Sequence, residues 1–389
     1  MTAAAGDAVV DLGVIRAGDA GRVGPKMARL GQLASTGWRV PDGYAITAGA
    51  LEGWLPAAAL AELHRLFSAP ATGPGAAATR PDYGGHQRLT RLSEQARQLI
   101  EGQSLPSWLA DAVADAHARL AARTGRGAQL RVAVRSSAVG EDGHAASFAG
   151  QYETYLGVSG VDDVLLHIRR CWSSGFSAHA LAYRQRFGGA APVRVHDLAV
   201  GVLELVEARS AGVAFTLDPV TGDRSTLVVE GNWGLGESVV SGQVTPDHWT
   251  VDRASGRVLT ARAGAKRAWT SYDDAAGQAV LSPLPAELAA RACLTEDEVR
   301  YICERAVAIE EASGGVPQDV EWAVARDLPL PDSVFFLQHR PETTWTQADS
   351  GAQAGSAAGP AAPAGEPAAP KAFDPVQYAL RNVFKVPGA

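Results

Sequence analysis

Six short apolar runs, at 131–134, 198–206, 212–217, 226–230, 320–324 and 334–338, constrain this chain more than any other feature. They are short, rich in β-branched residues, and bounded in most cases by Gly, Pro, Asp or Ser, so they read as strands. Helical patterns lie between several of them. The clearest starts at a Thr295/Glu298 capping box, carries Val299, Ile302, Ala306 and Ile309 on one face and stops at Gly314. Such interspersed strands and helices predict an α+β protein. A chain of 389 residues also exceeds what a single core supports, so two or three packed subdomains are expected.

Composition removes other classes. With 46% hydrophobic and 20% charged residues the chain has the balance of a soluble globular protein. No apolar run approaches the ~20 residues that a membrane span needs. The first eleven residues are Ala-rich and acidic and lack the pattern of a secretory signal, which places the expected location in the cytoplasm. Cys171, Cys293 and Cys303 form no C-x-x-C pair and no metal-ligand spacing, as suits reduced thiols. A net charge of -7 argues against a broad nucleic-acid surface and leaves room for a local basic pocket that takes a polyphosphate.

Two stretches break the globular pattern. Residues 69–85 are dominated by Pro, Gly and Ala and read as a loop; residues 346–371 are almost wholly Ala, Pro, Gly and small polar residues and read as a flexible linker. Beyond it, Asp374 is placed to cap a helix, Pro375 suits its first turn, and Phe373 can staple onto Tyr378. Val376, Leu380, Val383 and Phe384 share one face of this 373–386 segment, a stripe too small to form a core alone. It is expected to dock, either on its own domain or on a partner. The resulting division is 1–195 and 196–345 as two lobes, 346–371 as linker and 372–389 as a short amphipathic helix.

Several residues suit phosphate chemistry. Gly24-Pro25-Lys26 precedes a helical run, so Lys26 can reach a phosphate at a helix N-terminus. It is not a Walker A loop, because Met27 stands where Ser or Thr would hold magnesium. By itself, Lys26 also reads as an ordinary exposed lysine. The run 132–137 is a buried strand ending in Arg135, Ser136 and Ser137; Arg suits bidentate phosphate capture, and pairing with Glu141 or Asp142 explains it equally well. Gly234-Leu235-Gly236-Glu237 sets a carboxylate beside a flexible turn, and glycine turns are common.

The most informative residues are Gln318-Asp319-Val320-Glu321-Trp322 and Gln338-His339-Arg340. A hairpin across the Pro-rich loop 327–333 puts Val320, Trp322 and Val324 on one face, with Asp319, Glu321 and Ala323 on the other. It also sets Glu321 opposite Gln338, and Asp319 opposite Arg340. Two adjacent oxygen donors suit magnesium, and the Arg suits the phosphates that the metal bridges. The plain alternative is a solvated polar face on an edge hairpin.

Taken in order, these residues resemble the N-terminal ATP-binding region of phosphoenolpyruvate synthase, pyruvate phosphate dikinase and rifampin phosphotransferase. The series runs from Gly24-Pro25-Lys26 and Val40-Pro41-Asp42-Gly43-Tyr44, through 132–138, 147–151, Cys171-Trp172-Ser173-Ser174, 215–219, 234–237 and Thr245-Pro246-Asp247, to the Asp319/Glu321 and Gln338/Arg340 pairs. The resemblance covers residues 14–344.

It implies an ATP-grasp fold whose two lobes close over ATP and magnesium. Lys26, Arg135 and Arg340 would act on the phosphates, and Glu321 and Gln338 would ligate the metal. Asp319, Glu237 and Thr216 would support the ATP site. Leu203, Glu204, Leu205 and Val206, at the lobe connection, would meet the adenine through their backbone. Two departures are Met27 in the family's Gly-Gly-Lys-Gly loop and Leu203 where Gln is common.

In the resembled enzymes a histidine takes a pyrophosphoryl group from ATP, phosphate leaves, and the remaining phosphoryl group passes to a substrate with AMP as product. None of the nine histidines lies in the family's Thr-x-His or Ser-His loop. The resemblance therefore implies an ATP-binding subunit acting with a separate phosphohistidine subunit. Its acceptor would be phenol- or cresol-like, as in two-subunit aryl-phosphate synthases. The alternatives are the ATP-binding part of a split phosphoenolpyruvate synthase or of another acceptor dikinase, and a non-catalytic nucleotide-sensing or scaffold subunit.

Overall fold

The computed structural model describes residues 8–67, 86–139, 153–187, 198–342 and 345. The expected loop at 69–85, residues 141–151, the linker and the 373–386 segment lie outside the described residues. Two compact units result: one takes residues up to Val206 together with Tyr272–Val280, and the other takes Glu207–Ser271 and the residues from Leu281 onward.

In the first unit, β1 (Val9–Asp11), β2 (Gly43–Ile46), β3 (Arg131–Ala138), β4 (Thr154–Ser159) and β5 (Leu198–Glu204) form one sheet. Its order is β1-β2-β5-β3-β4, antiparallel throughout. The sequence divides the lobes at 195/196, whereas β5 is hydrogen-bonded between β2 and β3 and the first unit continues to Val206.

Period-two alternation gives the sheet two apolar faces. Val132, Val134, Val200 and Val202 pack into a large core with Trp54, Leu109, Val113 and Trp172. There Trp54 stacks on Trp172 with ring centroids 5.2 Å apart. Ala45 and Leu203, on the opposite face, pack with Met27, Ala28 and Leu30 of α1 (Ala20–Ser35). The other helices of this unit are α2 (Ala48–Trp54), α3 (Ala57–Phe67), α4 (His86–Glu101), α5 (Ser107–Thr124), α6 (Val161–Ser174) and α7 (Ala178–Phe187).

The second unit is built on a six-stranded antiparallel sheet of β6 (Ala208–Phe215), β7 (Thr226–Trp233), β8 (Asp247–Asp252), β9 (Val258–Arg262), β12 (Gln318–Ala325) and β13 (Val334–Pro341). Its order is β13-β12-β6-β7-β8-β9. A separate hairpin, whose Tyr272–Val280 stretch belongs to the first unit, pairs β10 (Ala268–Asp273) with β11 (Gln278–Pro283). Two short helices, α8 (Glu237–Val240) and α9 (Ala286–Ala289), precede α10 (Glu296–Ala312).

The capping box forms as the sequence predicts. The Glu298 N–H donates to the Thr295 hydroxyl at 3.3 Å, and the Thr295 N–H donates to the Glu298 carboxylate at 2.8 Å. Val299, Ile302, Cys303, Ala306 and Ile309 form the buried stripe of α10, which lies along β12, β6, β7 and β8.

Candidate functional site

In the first unit, the helix α1 is broken at Gly24, whose φ of 73° and ψ of 161° are open to glycine at little cost. Pro25 then opens the continuing helix, so Lys26 stands in its first turn. This junction packs on the end of β3. The Met27 N–H donates to Ser137 Oγ at 3.3 Å, and a Cβ on Gly24 would lie 2.1 Å from the Ser137 carbonyl oxygen.

Ser137 and Arg135 share a face of β3, so the fold brings Lys26 and Arg135 to the same region of the first sheet. Met27, the departure from the glycine loop, is 1% exposed and packs over Gly201, the register partner of Arg135. That residue thus fills space against β5. Burial pushes the nearby Cys171 thiol well up, although Arg135 and Lys26 pull it down. Cys171 therefore has no thiolate to offer.

The 203–206 segment follows the same sheet. Leu203 is buried against Met27 and Ala28. Glu204 and Leu205 already donate their N–H groups to the carbonyls of Asp42 (2.7 Å) and Arg131 (2.9 Å). Burial raises the Glu204 carboxyl pKa, and Arg126, 3.5 Å away, works against that shift. Val206 is the last residue of this unit before the chain enters β6.

In the second unit the hairpin has the register that the sequence predicts, with Asp319 opposite Arg340 and Glu321 opposite Gln338. Arg340 donates through Nε at 2.7 Å and approaches through Nη2 at 2.6 Å, both to Asp319 Oδ2. Asp319 and Gln338 are 7% and 8% exposed, so this face is not the solvated strip of an edge hairpin. The paired positions continue across the sheet as Gln338, Glu321, Val213, Glu230 and His248. Beside them Val213, Phe215 and Val228 make a small apolar cluster.

Gly236, one residue before Glu237, lies near Ala211 and Gly212 of β6, and burial raises the Glu237 carboxyl pKa. Thr216 is fully buried; its hydroxyl accepts the Gln318 N–H at 2.7 Å and ties the end of β6 to β12.

Among the described residues no group of three or more His, Cys, Asp or Glu side chains is placed to hold a metal ion. Glu321 and Gln338 offer two oxygens side by side, which fits magnesium, an ion that takes few protein ligands and completes its shell with water and phosphate oxygens. Bound there, it would supply charge neutralisation to a polyphosphate.

Sequence reasoning missed two features. His248 Nδ1 lies 3.2 Å from Glu230 Oε1 in the same row as Glu321. Asp247, part of the Thr245-Pro246-Asp247 motif, is a fully buried anchor that accepts from Lys266 and from the N–H groups of Gly264 and Cys293, each at 2.8 Å. Alternation along β8 was the signal available for His248, and motif order was the signal for Asp247.

An antiparallel sheet in each unit, with helices packed on it, gives an α+β fold of the ATP-grasp type. The chain belongs to the family described as the AMP/ATP-binding domain of pyruvate phosphate dikinase, which residues 20–358 match. It is 36% identical over 345 residues to a probable phosphoenolpyruvate synthase of Staphylothermus marinus, covering 83% of this chain and 40% of that protein. It is 34% identical over 338 residues to another of Methanothermobacter thermautotrophicus, covering 87% and 46%. A rifampicin phosphotransferase of a Streptomyces species is 36% identical over 341 residues, covering 87% and 36%. The chain thus spans less than half the length of each of these relatives.

Proposed function

We propose that this chain is the ATP-handling part of a dikinase-type phosphotransferase. It passes the pyrophosphoryl group of ATP to a histidine on a partner subunit, which then phosphorylates an organic acceptor of the phenol or cresol kind, with release of AMP and phosphate. The observation that carries this reading is the part-buried pairing of Asp319 with Arg340 beside Glu321 and Gln338, in a chain of the pyruvate phosphate dikinase ATP-binding family.

Lys26, Arg135 and Arg340 are the catalytic cations of this proposal. Glu321 and Gln338 hold magnesium. The protein's part is positioning and charge stabilisation, which supply most of the catalysis in phosphoryl transfer. In this proposal the acceptor histidine is carried by the partner subunit, and none of the nine histidines of this sequence is assigned that role. Segment 373–386 is the proposed docking element for that partner.

A split phosphoenolpyruvate synthase differs only in its acceptor. A nucleotide-sensing role draws on one observation, Pro25 and Met27 in place of the glycine loop. Incubation with labelled ATP and candidate partners separates these readings: AMP and a labelled histidine support the dikinase. ATP binding without AMP under any pairing leaves the sensor. Phenol or pyruvate, added in turn, identifies the acceptor, and deleting 373–386 without loss of partner binding would remove its docking role.

A further inference from the structure

Resting on the proposal that segment 203–206 meets the adenine, we infer that Asp42 and Arg123 are positioning residues that set base selectivity. The N–H groups of Glu204 and Leu205 are spent on the Asp42 and Arg131 carbonyls. Leu203 is paired on both sides, with Gly43 of β2 and Ala133 of β3. With those two donors spent, the base would meet the Glu204 carbonyl and the Val206 N–H. That acceptor and donor set matches the 6-amino group and N1 of adenine, and opposes the O6 and N1–H of hypoxanthine.

The position of that edge depends on what pins it. Asp42 accepts from Arg123 twice, from Nε at 2.7 Å and Nη2 at 3.1 Å, and its Oδ1 also accepts the Gly43 N–H at 2.6 Å. Arg123 stands in the last turn of α5, so this pair ties a helix end to the 41–43 turn. The turn lies close against β5: a Cβ on Gly43 would be 2.2 Å from the Val202 carbonyl oxygen.

On the other side, the Arg131 guanidinium is 2.6 Å from Asp274 and 3.9 Å from the Tyr272 ring centre. Each carbonyl that pins the segment thus belongs to a residue whose side chain is held by an ion pair. The Asp42 and Arg123 side chains are 34% and 38% exposed, so their pair contributes little stability and its removal is expected to leave the fold intact. Arg123 also keeps Asp11 at 3.6 Å, so Asp42→Ala does not strand a charge.

The test measures binding of ATP, ITP and inorganic tripolyphosphate, each with magnesium, by calorimetry on the wild type, Asp42→Ala, Arg123→Gln and Arg123→Lys. Wild type is expected to prefer ATP to ITP. Asp42→Ala and Arg123→Gln should weaken ATP by about fivefold and narrow the ATP:ITP ratio by the same factor, with tripolyphosphate unchanged. Arg123→Lys should recover part of the ratio.

An unchanged ratio in both variants, a parallel loss for all three ligands, or a wild type indifferent to the base overturns the inference while leaving ATP binding in place. A wild type that binds no ATP overturns both this inference and the proposed function.

Discussion

Replacing Lys266 with Met is expected to destabilise the second unit by about 3–5 kcal/mol, the cost of leaving one member of a buried ion pair alone. The Lys266 and Asp247 side chains are both 0% exposed. The ammonium donates to Asp247 Oδ1 and, at 2.6 Å, to the Arg291 carbonyl. After Lys266→Met, the Asp247 carboxylate still accepts from the Gly264 and Cys293 N–H groups. Each such bond to a charged group is worth about 1.5–3 kcal/mol, which holds the loss toward the lower end of that range.

Asp247→Ala should cost more, because it strands the ammonium and two buried N–H donors together. The double variant Asp247→Asn/Lys266→Met removes both charges and keeps a side-chain oxygen for one N–H, so its cost should fall well below the sum of the single changes. Thermal unfolding followed by tryptophan fluorescence checks this. At about 2–4 °C per kcal/mol for a unit of this size, Lys266→Met should lower the Tm by on the order of 10 °C. A Tm within about 1 °C of wild type, or a double variant that equals the sum, would refute the reasoning.

Three further outcomes are expected, the first two resting on the proposed function. Gly24→Ala introduces a Cβ 2.1 Å from the Ser137 carbonyl at a φ of 73°, so the start of the Lys26 helix must shift; AMP formation with the partner should fall by about tenfold or more while circular dichroism changes little. Arg340→Lys cannot reproduce the two contacts at 2.7 Å and 2.6 Å to Asp319 and leave a guanidinium for phosphate; turnover should drop on the order of 10²-fold, read from AMP release. Burial raises the Glu204 carboxyl above its ordinary value of 4.5, so the native state holds that proton more tightly than the unfolded chain and loses stability as pH rises through the raised pKa. Glu204→Gln should therefore raise the Tm at pH 7, with the gain fading toward pH 4.5 in a series of melts.

Much of the second unit's polar face could be read locally. Alternation alone separates Asp319 and Glu321 from Val320, Trp322 and Val324, and one short loop sets the pairing with Gln338 and Arg340. The α10 helix was equally legible, because its Thr295/Glu298 box and apolar spacing both lie within one stretch of chain. By contrast, Glu230 and His248 join the Glu321 row only because β7 and β8 come next to β6 in the sheet. Nothing local in the sequence pairs Lys266 with Asp247; the fold encloses the two together.

By itself the sequence determined the α+β class, the strand faces, the helix caps and the ordered series of phosphate-suited residues, since each depends on short-range periodicity or on motif order. Tertiary structure decided which strands are neighbours, that β5 stays with the first sheet, that Gly24 breaks α1 against Ser137, and that Asp42 and Arg131 pin the 203–206 segment. The physical reason is range: a pattern of residues specifies its own face and period, whereas neighbours far along the chain are chosen by how whole sheets and helices bury their apolar faces together.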